Sequence, residues 1–270
     1  MSLQYLMTDL RSTLTGDPLA AGGQHVLVAA MPKSGSTWLT RMLTSWPGMK
    51  EAVLVPDFDR REQELDTLQL LIKHRTNWVS QMHVRASEPT LSLCRQFGIR
   101  PVVLVRNLHD VVVSLSDHWD NEATAGPMAY VDAHHVGLNS ESRYAFITEM
   151  VLPWYINFYV SWSMVGGVTW VNYDELVSDT AGTLKRIVEA VGLSDGTAEL
   201  DETVAGCVEA AAKAQTRANV GISGRGAFLP NDIKRAISRR MAWYPHVDFT
   251  SIGGPKRSAD AAQDQATKAA

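Results

Sequence analysis

Residues 26–38 read VLVAAMPKSGSTW, and the reading of this stretch decides the fold. Gln24 to Ala30 is a short apolar run after the turn signal Ala21-Gly22-Gly23, the mark of a buried strand. Ser36 to Trp46 carries Trp38, Leu39, Met42 and Leu43 at helical spacing, and Pro47-Gly48 ends it. The order is therefore strand, loop, helix. A helix N-terminus offers unpaired backbone N–H groups and the positive end of the helix dipole. Gly35 lets the backbone approach an anion closely. Ser34, Ser36 and Thr37 bring hydroxyl donors, Lys33 brings a point charge, and Trp38 brings a flat face for a base. A plain corner with a Ser/Thr cap is the alternative, but a cap needs neither the lysine nor three hydroxyls. An ordinary ATP or GTP loop ends Gly-Lys-Ser/Thr. Here Lys33 precedes Gly35, so this is not a standard ATP or GTP loop.

Outward from this loop, strands and helices alternate. The patterning predicts helices over Arg60 to His74, Glu88 to Phe97, Asn107 to Trp119, Ser142 to Val165, Thr180 to Val191, Asp201 to Ala214 and Asp232 to Trp243. It predicts further strands over Val79 to Val84, Pro101 to Val105 and Val168 to Val171. Asn121 to Ser140 and Ala218 to Leu229 read as loops. Such alternation implies a single α/β domain, a central parallel sheet flanked by helices, with ligands beyond the carboxyl ends of the strands. The domain is expected over residues 1–252. Residues 253–270 are polar and Ala-rich, the composition of a disordered tail.

Composition bounds the function. At 270 residues, with 45% hydrophobic and 20% charged, the chain can bury a sizeable core. A net charge of -4 argues against a general nucleic-acid binder but leaves room for a local basic pocket. Cys94 and Cys207 stand far apart with no metal-type spacing, which suits a reducing, cytoplasmic setting. Residues 1–15 lack the apolar run of a signal peptide. Met150 to Val168 holds no charge, yet Pro153, Asn157 and Gly166-Gly167 make it a buried helix running into a turn rather than a membrane span.

A second strand–loop–helix corner, PVVLVRNLHDVVVSL, spans residues 101–115. Arg106 stands at the strand end and Ser114 two turns into the helix. Alone, they read equally as a salt-bridge partner and a solvated serine. Lys213 to Arg240 holds seven basic residues against one acid, Asp232. A solvated helix face accounts for Lys234 to Arg240 but not for Gly224-Arg225-Gly226.

Together these blocks resemble sulfotransferases that use 3′-phosphoadenosine 5′-phosphosulfate (PAPS), across residues 25 to about 245. The loop PKSGSTW is similar to that family's 5′-phosphosulfate loop, which has a P-loop-NTPase-like fold. The resemblance implies that Lys33, Ser34, Gly35, Ser36 and Thr37 hold the 5′ phosphosulfate, that Lys33 meets the transferring group, and that Trp38 packs on the adenine. Arg106, Asn107, Asp110 and Ser114 match the family's 3′-phosphate motif at its spacing, with Leu108 in place of the usual proline. This implies 3′-phosphate binding by Arg106 and Ser114. VTWVNYDEL, residues 168–176, resembles the segment from which Tyr173 would contact adenine; a half-buried structural tyrosine fits it equally. Gly224-Arg225-Gly226 resembles the family's C-terminal lid, although its first arginine and a following glycine are missing. Arg225 and Gly226 carry over as 3′-phosphate ligands.

The acceptor must lose a proton as it attacks sulfur, which suits a histidine. Of the eight, His83 ends a predicted strand 23 residues before Arg106, a distance similar to the family's Lys-Thr-His segment. Gln81-Met82-His83 lacks that lysine. Glu51, Asp57 and His118 are alternative bases. His134-His135 has no third close ligand, so a metal-independent enzyme is expected. The acceptor class is a small molecule or glycan, and the oligomeric state stays open. Rival readings are a variant kinase, which would need a Mg²⁺ ligand such as an aspartate ending a strand, and an inactive nucleotide-binding protein of the same fold.

Overall fold

The computed structural model describes residues 12, 19, 22–55, 64–121, 129–194, 199–213 and 223–256. Asp57, the start of the Arg60 to His74 helix, and the expected tail from residue 257 onward lie outside them. The fold is α/β, with a five-stranded sheet and flanking helices. Contacts divide the chain into two compact units, Met1–Leu104 with Val165–Val220, and Val105–Met164 with Gly221–Ala270.

The first unit is built on the sheet. Strand β1 (His25–Ala30) is buried at every position, as its unbroken apolar run requires of a central strand. It pairs in parallel with β3 (Trp78–Met82) and β4 (Ile99–Val105), and β3 pairs in parallel with the short β2 (Lys50–Glu51). With β5 (Thr169–Asn172), the order is β2-β3-β1-β4-β5. Helix α1 (Ser36–Thr44) lays Leu39, Met42 and Leu43 into the core with Val28, Val102 and Leu104. Helix α2 (Thr67–Lys73) starts at Asp66, whose side chain accepts from Gln69 N. Helix α3 (Glu88–Phe97) runs as the sequence predicts, from a Ser87 cap to Gly98.

The second unit begins with α4 (Leu108–Asn121). The long predicted loop after it contains α5 (Ala133–Val136), capped by Asp132, and α6 (Ser140–Phe146) follows. The long helix predicted over Ser142 to Val165 runs without interruption from Ser140 to Ser163 but carries a π turn at Ile147–Val151 between α6 and α7 (Leu152–Ser163). Pro153 sits in the first turn of α7, where its missing N–H deprives the preceding turn of an α bond. The charge-free stretch is thus the buried helix expected, with Tyr155, Phe158 and Trp162 inside. Among the described residues, no helix is long and apolar enough to cross a membrane.

The chain then returns to the first unit with α8 (Tyr173–Ser178), α9 (Thr180–Ala190) and α10 (Leu200–Lys213). Sequence patterning missed α8, which is a single capped turn and a half: Asn172 accepts from Asp174 N. The second unit ends with a 3₁₀ turn (Arg225–Phe228), α11 (Asn231–Met241) and a 3₁₀ turn (Thr250–Ile252).

Candidate functional site

The loop after β1 is held by its own backbone. Met31 N donates to Leu104 O at 3.0 Å, extending the β1–β4 ladder one residue past Ala30. Ser34 is fully buried, and both its N–H and its hydroxyl reach back to Met31 O, at 3.3 and 2.5 Å. The one hydroxyl proton of Ser34 is therefore spent on the turn, and Ser34 shapes the loop. Between these ties, Lys33 adopts φ 65, and it alone among the described non-glycine residues has a positive φ. That conformation costs a non-glycine residue roughly 1–2 kcal/mol. Strain of this kind persists only where the surroundings impose it, and it gathers at functional positions.

Gly35, at φ 85, is the N-cap of α1 and has no side chain to cap with. The first helical bonds run from Trp38 N and Leu39 N to Gly35 O, so the N–H groups of Gly35, Ser36 and Thr37 precede the ladder. A Cβ on Gly35 would lie 3.0 Å from Cδ2 and Cε2 of Tyr173. Tyr173 is thus buried against the loop and fixes its backbone. Ser36 is buried and Thr37 exposed. Trp38 is half-buried on the core, and its Nε1 is buried with no hydrogen-bond acceptor among the described residues.

His83 follows the last residue of β3, which pairs Met82 with Ala29 of β1. Its Nδ1 lies 2.7 Å from Ala30 O. A carbonyl only accepts, so Nδ1 carries the proton and Nε2 is the basic nitrogen of the neutral ring. Loop, histidine and Tyr173 all belong to the first unit.

The corner after β4 belongs to the second unit and is assembled differently. Arg106 is buried, with Nη2 at 3.9 Å from Asp110 Oδ2. Asn107 Oδ1 accepts from His109 N at 2.9 Å and from His109 Nδ1 at 3.1 Å, opening α4. Burial, aided by the charge of Lys234, lowers the pKa of His109 and favours the neutral ring that donates one of these bonds. The buried carboxylate of Asp110 accepts from Gly224 N at 2.8 Å and Gly226 N at 2.7 Å. It clamps the glycine loop onto the start of α4. A Cβ on Gly226 would lie 2.3 Å from His109 Cβ and 2.6 Å from its carbonyl carbon, so only glycine allows the approach. Arg225 Nη2 reaches Asp117 Oδ2 at 2.5 Å. Ser114 is half-buried on α4.

The structure thus groups Lys33, Ser34, Gly35, Ser36, Thr37, Trp38, His83 and Tyr173 in one unit, and Arg106, Ser114, Arg225 and Gly226 in the other. Glu51 is exposed at the end of the short β2, and His118 is half-buried on α4. His134 and His135 serve a cap: Asp132 Oδ1 accepts from both backbone N–H groups and lies 2.6 Å from His135 Nδ1. No group of three or more His, Cys, Asp or Glu side chains among the described residues is arranged to hold a metal.

With this geometry in view, the comparisons with known proteins are specific. The sulfotransferase domain model matches residues 23–250. The chain belongs to the sulfotransferase domain family. In fold, this sulfotransferase is similar to the crystal structure of mouse sulfotransferase SULT7A1 complexed with PAP, with a TM-score of 0.60 and 15% identity over 98% of this chain and 94% of the mouse chain. Sulfotransferase STF1 from Mycobacterium tuberculosis aligns more loosely, with a TM-score of 0.45 and 12% identity over 88% of this chain and 81% of its own. No curated protein matches the chain in sequence.

Sequence reasoning assigned no role in this sulfotransferase to Asp110 or Asp117. The signal was present in their spacing: Asp110, Ser114 and Asp117 stand at i, i+4 and i+7, one face of α4.

Proposed function

We propose that this chain transfers the sulfuryl group of PAPS to a hydroxyl or amine of a small-molecule or glycan acceptor. The observation that carries the reading is the Lys33–Trp38 loop, with its lysine held in a left-handed conformation and the leading N–H groups of α1 ahead of the helical ladder, beside a histidine whose Nδ1 is held by Ala30 O. The leading N–H groups of α1, with Ser36 and Thr37, suit the 5′ phosphosulfate. Arg106, Ser114, Arg225 and Gly226 suit the 3′ phosphate. Arg106 supplies the charge and fork geometry, and the Asp110 clamp fixes the lid backbone.

In this mechanism His83 Nε2 takes the proton of the acceptor as its oxygen or nitrogen bonds to sulfur. The bond from sulfur to the bridging phosphate oxygen breaks in line, and Lys33 offsets the charge that develops on that oxygen. The leaving molecule is 3′-phosphoadenosine 5′-phosphate (PAP). Lys33 and the helix N-terminus supply the positive charge, so the step needs no metal ion.

The experiment is an acceptor screen with sulfur-labelled PAPS, using phenols, alcohols, sugars and amines, with and without a metal chelator. Transfer of label to at least one class, unaffected by chelation, is expected. Transfer of phosphate from ATP that depends on Mg²⁺, with no label transfer, would instead support a kinase. In the same assay His83→Ala is expected to lower turnover by about a thousandfold while PAP still binds; unchanged turnover would remove His83 as the base.

A further inference from the structure

Asp110, Ser114 and Asp117 share one face of α4, and the two carboxylates have separate duties. Asp110 holds the backbone of Gly224 and Gly226, so the course of the lid does not depend on Asp117. Asp117 holds the side chain of Arg225, through Oδ2 and Nη2 at 2.5 Å, with side-chain exposures of 29% for Arg225 and 45% for Asp117. Ser114 sits between the two carboxylates along the face, one turn from Asp117. An anion held by Ser114 and Arg225 therefore shares one guanidinium with a resident carboxylate. The arginine fork has donors enough for both, but the two acceptors repel each other where water only partly screens them.

We infer that Asp117 is a positioning residue that sets how tightly the 3′ phosphate is held: through its ion pair with Arg225 it keeps affinity down and speeds release of the 3′-phosphorylated product. This rests on the reading of Arg225 as a 3′-phosphate ligand. It assigns to Asp117 a charge effect and not a structural one, since the lid backbone is fastened elsewhere.

The test is calorimetric titration of PAP and of adenosine 5′-monophosphate, which lacks the 3′ phosphate, into the wild type and into Asp117→Asn, Asp117→Glu and Arg225→Gln. Asp117→Asn keeps the shape and removes the charge. It is expected to bind PAP roughly tenfold more tightly, with adenosine 5′-monophosphate and the melting temperature unchanged. In turnover, its KM for PAPS and its kcat fall together, because product leaves more slowly. Asp117→Glu, which restores the charge, is expected to behave as the wild type. Equal or weaker binding of PAP by Asp117→Asn overturns the inference. Arg225→Gln separates this from the underlying reading. It is expected to lose most of the preference for PAP over adenosine 5′-monophosphate, and an undiminished preference would show that Arg225 is not a 3′-phosphate ligand.

Discussion

The loop after β1 and the corner after β4 share a strand–loop–helix plan but are built in opposite ways. The first is closed chiefly by short-range hydrogen bonds, Ser34 on Met31 and Trp38 and Leu39 on Gly35, with a ladder bond to Leu104 and the Tyr173 ring coming from farther along the chain. The second is fastened by residues far away in sequence. Asp110 reaches Gly224 across 114 positions and Gly226 across 116, and Arg225 reaches Asp117 across 108. A locally closed loop can change its chemistry without loosening the fold. A clamped corner cannot lose its clamp without losing order and ligand together. Mutations in the two places should therefore fail in different ways.

The largest effect is expected in the first region. His83→Ala should lower PAPS turnover by about a thousandfold with little change in melting temperature. A variant that lost activity by unfolding would break the comparison. Next, Asp110→Ala strands two backbone donors, Gly224 N and Gly226 N, beside the buried Arg106. It should cost about 3 kcal/mol in denaturant unfolding and weaken PAP at least tenfold, affinity and stability falling together. Gly226→Ala should do the same more mildly, at about 1–3 kcal/mol, because its Cβ meets the backbone of His109. Gly35→Ala meets only the edge of the Tyr173 ring, so its cost is chiefly the positive φ, about 1 kcal/mol. Turnover should reveal it more clearly than melting does.

The smallest effect lies away from both regions, at the start of β1. His25 is buried, stacks on Trp78 at 4.6 Å, and lies 2.7 and 2.9 Å from the carbonyls of Phe97 and His74. Burial outweighs those bonds and lowers its pKa below the ordinary histidine value of 6.5. The unfolded chain then binds the proton more readily than the folded one. The stability from neutral His25 is present above pH 6.5 and is lost as pH falls through the lowered folded value. Thermal melts between pH 7.5 and pH 5 should show a decline of a few degrees, which His25→Gln flattens. A decline unchanged in that variant would assign it to other groups.

Legibility in the sequence followed the same division. The strands β1 and β4 and the helices α1, α3 and α4 follow from local apolar periodicity and end signals, because each is decided by its own neighbours. The loop after β1 stands out as a candidate anion site because lysine, glycine and hydroxyls stand side by side. Its details were not legible. Ser34 looks like an anion donor in sequence, yet its proton goes to Met31 O, since a buried carbonyl in a tight turn needs a partner. Tyr173 packs on Gly35 only because β5 brings α8 there. Asp110 stood in the matched motif without a role of its own and Asp117 stood in none, because a carboxylate has meaning only beside its partner, and both partners come from the glycine loop a hundred positions on. The π turn in the long helix needed the effect of Pro153 on the turn before it.

The proposed function needs a nucleotide bearing both a 5′ and a 3′ phosphate. The direct measurement is the affinity of the wild-type chain for PAP and for adenosine 5′-monophosphate, by calorimetry in chelator and at one salt concentration. The account predicts that PAP binds at least a hundredfold more tightly, on the order of the 2.7 kcal/mol that charge-assisted bonds from Arg106 and Arg225 can supply, and that Arg106→Ala removes most of the difference. Equal affinities for the two nucleotides, or binding of either only with Mg²⁺, would contradict it.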